Sequence, residues 1–219
     1  IRRMKELDLL KKDWKKNAAS FVQVSENEIY KMIHKKSSSV VKWIFIVSIV
    51  ELGLGLVLGL ILSFTKYDEK NIELIKHLDV YGYYITATVL FYAVVLYFIF
   101  KFYKMYRKIS VDDNTKKLIS TILKTRKVVK QYIAFNLSFF AFFFIVFGGY
   151  LFYEGYLEGA SKNGVVNPEM PLNIALISFV VLILATAVFT FAFWLIYKLI
   201  YGLLLRRLQN NYIELKKID

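Results

Sequence analysis

The stretch that decides the fold is Ile44–Ser63, IFIVSIVELGLGLVLGLILS, in which Glu51 is the only charged side chain. A helix of about 20 residues rises about 30 Å, which matches the hydrocarbon thickness of a bilayer. Inside lipid a single segment satisfies its own backbone hydrogen bonds only as a helix. The stretch therefore predicts a membrane-spanning helix.

Three further apolar segments follow, at about Tyr81–Phe100, Tyr132–Phe152 and Asn173–Tyr197. The whole chain is 57% hydrophobic and 17% aromatic, far more apolar than an ordinary soluble domain. The expected fold is all-α: an integral-membrane four-helix bundle with amphipathic cytoplasmic helices.

The polar segments between the spans divide the chain into five parts. Ser25 and Glu28 have the spacing of a capping box and predict a helix start. The expected parts are cytoplasmic amphipathic helices at 1–42, a first transmembrane hairpin at 43–100, a basic connection with an amphipathic helix at 101–130, a second transmembrane hairpin at 131–197 and a helical cytoplasmic tail at 198–219.

The basic residues are distributed unequally between the two sides of the predicted membrane. Of the 30 Lys and Arg residues, 26 lie in 1–42, 101–130 and 198–219, and 4 lie in the two remaining loops. Because the basic side of a membrane protein is the cytoplasmic one, both termini are expected in the cytoplasm of an inner-membrane protein. The chain has a net charge of +13, and its basic cytoplasmic side chains are expected to contact anionic lipid headgroups. No nucleic-acid partner is expected.

A weak internal repeat relates the two halves. Ile29, Ile33 and Val40-Val41-Lys42 before the first span resemble Leu118, Ile122 and Val128-Val129-Lys130 before the third. Similarly, the segment 98–101 leaving the second span resembles 195–198 leaving the fourth. A tandem parallel repeat of helical hairpins explains the likeness; a composition rich in Leu, Ile, Val and Lys explains it equally well.

Glu51 is the sharpest candidate site, because a carboxylate in hydrocarbon is costly unless it is neutral, paired or hydrated. At the same distance from the ends of the other spans lie Tyr92, Asn136 and Thr190, so these four residues predict an intramembrane polar site. In one interpretation, the Glu51 carboxylate of this site binds a cation or a proton. In the other, Glu51 only forms a structural hydrogen bond between helices or opens onto a hydrated cytoplasmic gap.

Glycines in the first and third spans predict close helix packing. Gly53, Gly55 and Gly59 include a small-xxx-small pair, and Gly148-Gly149 is a second candidate. Packing within the chain is the expected use, and a homodimer through the first span, or assembly into a larger membrane complex, is the alternative.

No motif of enzymatic chemistry is present. The chain has no cysteine, no Gly-rich phosphate loop and no GxSxG or HExxH motif. His34 and His77 fall on opposite sides of the predicted membrane, so they do not share a metal ion. We therefore expect no catalytic residue, no metal site and no cofactor.

The basic lead-in is the candidate surface for a partner or for lipid. Its expected contact residues combine apolar and basic side chains: Leu7, Leu10, Trp14, Lys15, Lys16, Lys35 and Lys36. A cytoplasmic protein and the anionic membrane surface are the two candidates for its partner. Ile1 is not a start methionine, and Met4 is the candidate initiator.

Two segments carry resemblances to known families. Glu6–Asn17 (ELDLLKKDWKKN) and Ile29–Ile44 (IYKMIHKKSSSVVKWI) resemble an uncharacterised family of four-span bacterial inner-membrane proteins over about residues 6–64, which implies no known activity. Ile49–Gly53 (IVELG) is similar to the first helix of small multidrug transporters. That resemblance implies dimerisation and proton-coupled export of cations through Glu51, although this chain is about twice as long.

These features lead to one functional expectation and one alternative. The expectation is an inner-membrane scaffold or regulatory subunit that docks a partner through its basic amphipathic helices. The alternative is a small transporter or channel subunit that uses Glu51. Transport requires a cavity that reaches Glu51, whereas a scaffold requires only a packed interior.

Overall fold

The computed structural model describes residues 25–64, 81–111 and 114–217, and these form four helices. They are α1, Glu26–Ser63; α2, Tyr81–Val111; α3, Thr115–Lys162; and α4, Leu172–Lys216. The described part contains no strand, so the all-α prediction is confirmed. All four helices are long and apolar enough to cross a membrane.

The helices form a bundle with the ring order α1–α2–α3–α4. Helix α1 packs against α2 and α4, and α3 packs against the same two neighbours. Helices α2 and α4 lie across the bundle and do not contact each other in the described chain. The first and second hairpins therefore lie side by side, each helix antiparallel to the next.

The buried core lies at one end of this bundle, which we call the basic end: residues 26–43, 101–111, 115–131 and 198–216 with the helix turns next to them. Its apolar members are Ile33, Val40, Val41, Ile44, Val95, Phe98, Ile99, Phe102, Ile109, Leu118, Ile122, Val128, Val129, Tyr132, Tyr201, Leu208 and Leu215. The opposite end, which carries the two hairpin loops, is the loop end. There the apolar side chains are mostly exposed, as they are where lipid is the solvent.

The amphipathic segments predicted beside the spans are continuous with them. Helix α1 begins at the capping box and runs into the first span, and α3 begins at Thr115 and runs into the third. The apolar faces predicted for these segments, with Ile33 and Ile122, are buried in the bundle core. The amphipathic segments of the described chain are therefore the ends of longer helices, and their apolar faces pack inside the bundle.

The predicted capping box at the start of α1 is confirmed. The Glu28 carboxylate accepts hydrogen bonds from the Ser25 backbone N–H at 2.9 Å and from its hydroxyl at 3.1 Å. The Glu28 N–H donates to Ser25 Oγ at 3.3 Å. The hydrogen bond from the Ser25 backbone, followed by that from its side chain, lowers the pKa of the Glu28 carboxyl below its ordinary 4.5. At the start of α3, Asn114 accepts from the Lys116 N–H at 3.0 Å.

The first helices of the two hairpins, α1 and α3, bury equivalent positions. Each of the six buried positions of α1 matches a buried position of α3 at a constant offset of 88 residues: Ile33 with Thr121, Ser37 with Thr125, Val40 with Val128, Val41 with Val129, Ile44 with Tyr132 and Ser48 with Asn136. In α2 and α4 an offset of 99 pairs the buried rings Phe102 and Tyr201, both of which pack against Tyr132, and the buried residues Ile109 and Leu208. The other buried positions of α2 do not lead to buried positions of α4 at this offset.

Candidate binding site around Glu51

Glu51 lies on α1 just beyond the core, and two tyrosines of α4 bind its carboxylate. The Tyr197 hydroxyl donates to Oε1, and the Tyr201 hydroxyl donates to Oε2 at 3.1 Å. Tyr197 and Tyr201 are four residues apart and so project from the same face of α4. Because hydrogen bonds to an ionised acceptor are stronger than neutral ones, this pair offsets part of the cost of a carboxylate in the apolar interior.

A third tyrosine completes what we call the tyrosine cluster: Tyr132, Tyr197 and Tyr201. The ring centroid of Tyr132 lies 6.5 Å from that of Tyr197 and 6.0 Å from that of Tyr201. On its α2 side, Tyr132 packs edge-on against Phe98 at 5.5 Å and Phe102 at 5.6 Å. Tyr132 and Tyr201 are almost completely buried, so the cluster closes the bundle between Glu51 and the basic end.

On the loop-end side of the cluster lies a cavity of about 360 Å³, which we call the Glu51 cavity. Its lining residues are Glu51, Leu52, Gly55, Phe91, Tyr92, Val95, Tyr132, Asn136, Leu137, Phe139, Phe140, Phe143, Phe193 and Tyr197. Eight of them are aromatic, and Glu51 is the one charged side chain in this lining. Its volume lies in the range of pockets that hold small organic ligands.

The structure brings together three of the four residues predicted to form the polar site. Tyr92 and Asn136 line the cavity with Glu51. The Asn136 side chain also donates to the backbone oxygen of Tyr132 at 2.9 Å, which holds the amide against its own helix. Thr190 does not take part. It lines a separate apolar groove between α3 and α4, and its hydroxyl is buried without a hydrogen-bond partner in the described structure.

The sequence pattern does not predict that Tyr197 and Tyr201 bind Glu51. The prediction places residues at the same level in the bundle when they are equally far from the ends of their apolar segments. Helix α4 continues well beyond Tyr197, so the end of its apolar segment does not mark the level of Glu51. The signal available in the sequence was the pair Tyr197 and Tyr201, two hydroxyls spaced by one helical turn at the boundary of the span.

The glycines differ between the hairpins. A Cβ atom on Gly148 or Gly149 would lie 3.3 or 3.4 Å from the Leu182 side chain of α4, so these two lie in a close helix contact. No described atom lies within 4 Å of a Cβ built on Gly53, Gly55 or Gly59. The close packing within the chain predicted for the first-span glycines is therefore absent from the described residues, and the homodimer stays a prediction.

The predicted partner surface is divided between two regions. Leu7, Leu10, Trp14, Lys15 and Lys16 lie outside the described residues. Lys35 and Lys36 are exposed at the basic end of α1. In the described ranges no three His, Asp or Glu side chains lie close enough together to hold a metal ion.

Fold and site together define a four-helix protein whose helices are long and apolar enough to cross a membrane and enclose a carboxylate in an aromatic cavity. A family model, the domain of unknown function DUF8845, matches residues 27–219, and the chain belongs to that family. The prediction of an uncharacterised family is confirmed, while Glu6–Asn17 lies outside the match. That the family is bacterial and four-spanning stays a prediction. Comparison with curated proteins and with solved structures finds no match.

Proposed function

We propose that this protein binds a hydrophobic organic cation in the Glu51 cavity, as a small transporter or as the binding subunit of one. The observation that carries the proposal is a single carboxylate at one end of a cavity lined by eight aromatic side chains. The cavity reaching Glu51 is what the transport alternative requires and what a fully packed scaffold lacks.

The lining chemistry favours an organic cation over a metal ion. Aromatic faces attract cations, and quaternary ammonium groups are bound by cages of such rings. Small hard ions such as Mg²⁺ or Ca²⁺ need six or more oxygen ligands. The side-chain oxygens of this cavity belong to Glu51, Asn136, Tyr92 and two members of the tyrosine cluster. Three of them are neutral phenols and both carboxylate oxygens already accept hydrogen bonds, so the set is a poor one for such an ion.

Glu51 is suited to exchange a cation for a proton. Tyr197 and Tyr201 each bind one carboxylate oxygen, which fixes the orientation of the carboxylate at the cavity wall. A proton and an organic cation compete for the same charge.

The proposed location is the inner membrane, with the basic end and both termini in the cytoplasm. The support is the distribution of Lys and Arg, 26 of 30 on one side of the predicted spans. In this orientation the tyrosine cluster separates the Glu51 cavity from the cytoplasm.

The test is a calorimetric titration of the purified full chain, in a neutral detergent, with benzyltrimethylammonium. Its uncharged isostere, neopentylbenzene, has the same shape and isolates the contribution of charge. We expect saturable binding of the cation and weaker binding of the isostere. Glu51→Gln should weaken cation binding by about tenfold or more, because it removes the one charge of the cavity.

Matched controls separate the cavity from the rest of the apolar surface. Phe139 lines the cavity, whereas Phe142 is on the same helix and is 67% exposed, so Phe139→Ala should weaken binding and Phe142→Ala should not. Glu154→Gln, which removes a carboxylate of α3 outside the cavity lining, is the control for charge and should leave binding unchanged. Equal binding by the wild type and Glu51→Gln, or equal affinity for the cation and its isostere, would refute the proposal.

The second candidate is the scaffold that docks a soluble partner at the basic end. It is favoured by the extension of all four helices beyond the predicted spans, with lysines such as Lys116, Lys117 and Lys127 exposed. Mild-detergent affinity purification from the native host is its test. A stoichiometric partner, lost when Leu7, Leu10 and Trp14 are changed to Ser but retained in Glu51→Gln, would favour this candidate over cation binding.

A further inference from the structure

A second candidate site lies at the basic end, in a groove between α1 and α4. Its volume is about 600 Å³, and we call it the α1–α4 groove. Its lining residues are Met32, Lys35, Lys36, Ser39, Val40, Arg207, Asn210, Asn211 and Glu214. Unlike the Glu51 cavity, it is lined mainly by polar and charged side chains.

The charges of the groove are unbalanced. Lys35, Lys36 and Arg207 contribute three positive charges, and Glu214 contributes one negative charge. Within the described ranges the one ion pair is between Lys162 and Glu158, so none of the three cations is paired with a described carboxylate. Three cations from two helices that converge on one groove attract an anion, and most strongly one that carries more than one negative charge.

The groove also has neutral hydrogen-bond donors on a fixed base. Asn211 is more than nine-tenths buried, and its amide nitrogen donates to Ser37 Oγ at 3.0 Å. This buried bond ties α4 to α1 directly at the groove. Ser39 and Asn210 add a hydroxyl and an amide at the surface. The combination of a guanidinium, two ammonium groups and neutral donors is the chemistry that recognises phosphate oxygens.

The level of the groove along the bundle agrees with a ligand at the membrane surface. Lys35 precedes Lys42, the last basic residue before the first span, by seven residues, or about 10 Å along a helix. Lys198 lies at the boundary of the fourth span, with its ammonium group 4.6 Å from the Trp194 ring. Arg207 follows nine residues later, at a similar distance from the hydrocarbon.

From these observations we propose that the α1–α4 groove binds a phosphate group, carried either by an anionic lipid headgroup or by a soluble molecule. Lys35, Lys36 and Arg207 neutralise the phosphate, and the neutral donors orient it. The site is independent of the Glu51 cavity, because the two share no lining residue.

The test has one arm for each source of the phosphate, both with the full chain at about 0.15 M salt, where weak surface attraction is screened. In the first arm the protein is taken from nanodiscs of phosphatidylcholine and phosphatidylglycerol, and retained lipids are counted by native mass spectrometry. In the second arm inorganic pyrophosphate is titrated into the protein in neutral detergent. Retention of phosphatidylglycerol identifies a headgroup site, and saturable binding of pyrophosphate identifies a site for a soluble phosphate.

Two triple variants with the same loss of charge decide whether the groove itself is the site. The first is Lys35→Gln, Lys36→Gln and Arg207→Gln; the control is Lys116→Gln, Lys117→Gln and Lys127→Gln, exposed residues at the same end of α3. We expect the groove variant to lose binding by about tenfold or more and the control to change it by less than about twofold.

Three results would overturn this proposal, two in binding and one in stability. One is the absence of binding in both arms; the other is an equal loss in the two triple variants, which would assign the attraction to the overall positive charge of the basic end. Because all six substituted residues are exposed, both variants should keep the thermal unfolding temperature of the wild type. A lower temperature for the groove variant alone, with lipid retention unchanged, would also contradict it, since the cations would then have a structural role only.

Discussion

The first helices of the two hairpins, α1 and α3, have the same pattern of burial, but the two hairpins differ in chemistry. Where α4 presents Tyr197 and Tyr201 to the centre of the bundle, α2 presents Phe98 and Phe102 at the offset of 99 residues. Where α1 carries Glu51, the offset of 88 residues leads to Phe139 on α3, which lines the same cavity. Polar groups thus occupy one copy of each position and apolar rings occupy the other.

The difference separates what packing requires from what the site adds. Phenylalanine at the α2 positions fills the same space without a hydroxyl, so the bundle does not need the tyrosines for shape. A carboxylate among apolar helices is costly, and the hydroxyls of Tyr197 and Tyr201 that bind it have no counterpart at Phe98 and Phe102. The polar groups around Glu51 therefore go beyond what packing of the bundle requires, and the following predictions test that distinction.

The largest expected effect concerns the equivalent buried rings Phe102 and Tyr201. Both are almost fully buried, so Phe102→Ala and Tyr201→Ala should each lower the free energy of unfolding by about 3 to 5 kcal/mol, through lost burial and the cavity left behind. The measurement is unfolding in mixed micelles with increasing sodium dodecyl sulfate. Phe100→Ala, at a ring 55% exposed on the same helix as Phe102, is the control and should cost less than about 1 kcal/mol. A small cost for only one of the two buried rings would contradict the equivalence of the hairpins.

An intermediate effect is expected at the glycines, where the hairpins differ. Gly148→Leu places a side chain against Leu182 and should destabilise the α3–α4 contact by about 1 to 3 kcal/mol. Gly59→Leu meets no described neighbour and should leave the unfolding free energy of the monomer unchanged. Cross-linking of the two variants in membranes measures the other possibility: a loss of dimer in Gly59→Leu alone would place the first-span glycines between two copies of the chain.

The smallest effect is expected at the helix starts, which are capped differently in the two hairpins. Ser25→Ala and Asn114→Ala should each cost about 1 kcal/mol by leaving backbone N–H groups without an acceptor. The pKa of Glu28 is lower in the folded chain than its ordinary 4.5, so its contribution is complete above that pH and is lost as the pH falls through the lower folded value.

The effect of Ser25→Ala should therefore shrink at acid pH, while the effect of Asn114→Ala, which involves no titrating group, stays constant. Hydrogen exchange of the first turn of α1 and of α3 measures both. A constant effect of Ser25→Ala over the acid range would show that the Ser25 hydroxyl does not act on Glu28, since this variant keeps the backbone N–H that also donates to the carboxylate.

The sequence by itself determined the four helices and the place of the one carboxylate within their apolar segments. Hydrophobic runs long enough to cross a bilayer are local features, and so is the capping box at Ser25, because its partners lie three residues apart. The repeat was visible in α1 and α3, where apolar spacing marks the buried face. In the second pair of helices nearly every position is apolar, so composition does not distinguish the buried face from the outward-facing one.

Only the tertiary structure decided which side chains meet Glu51. Tyr197 and Tyr201, rather than Thr190, meet Glu51 because of the axial register between α4 and α1, and because the helices continue past the ends of their apolar segments. The same register forms the α1–α4 groove from residues 175 positions apart, such as Ser39 and Glu214. The register between helices is set by the packing of all their side chains together, so no local stretch of sequence contains it.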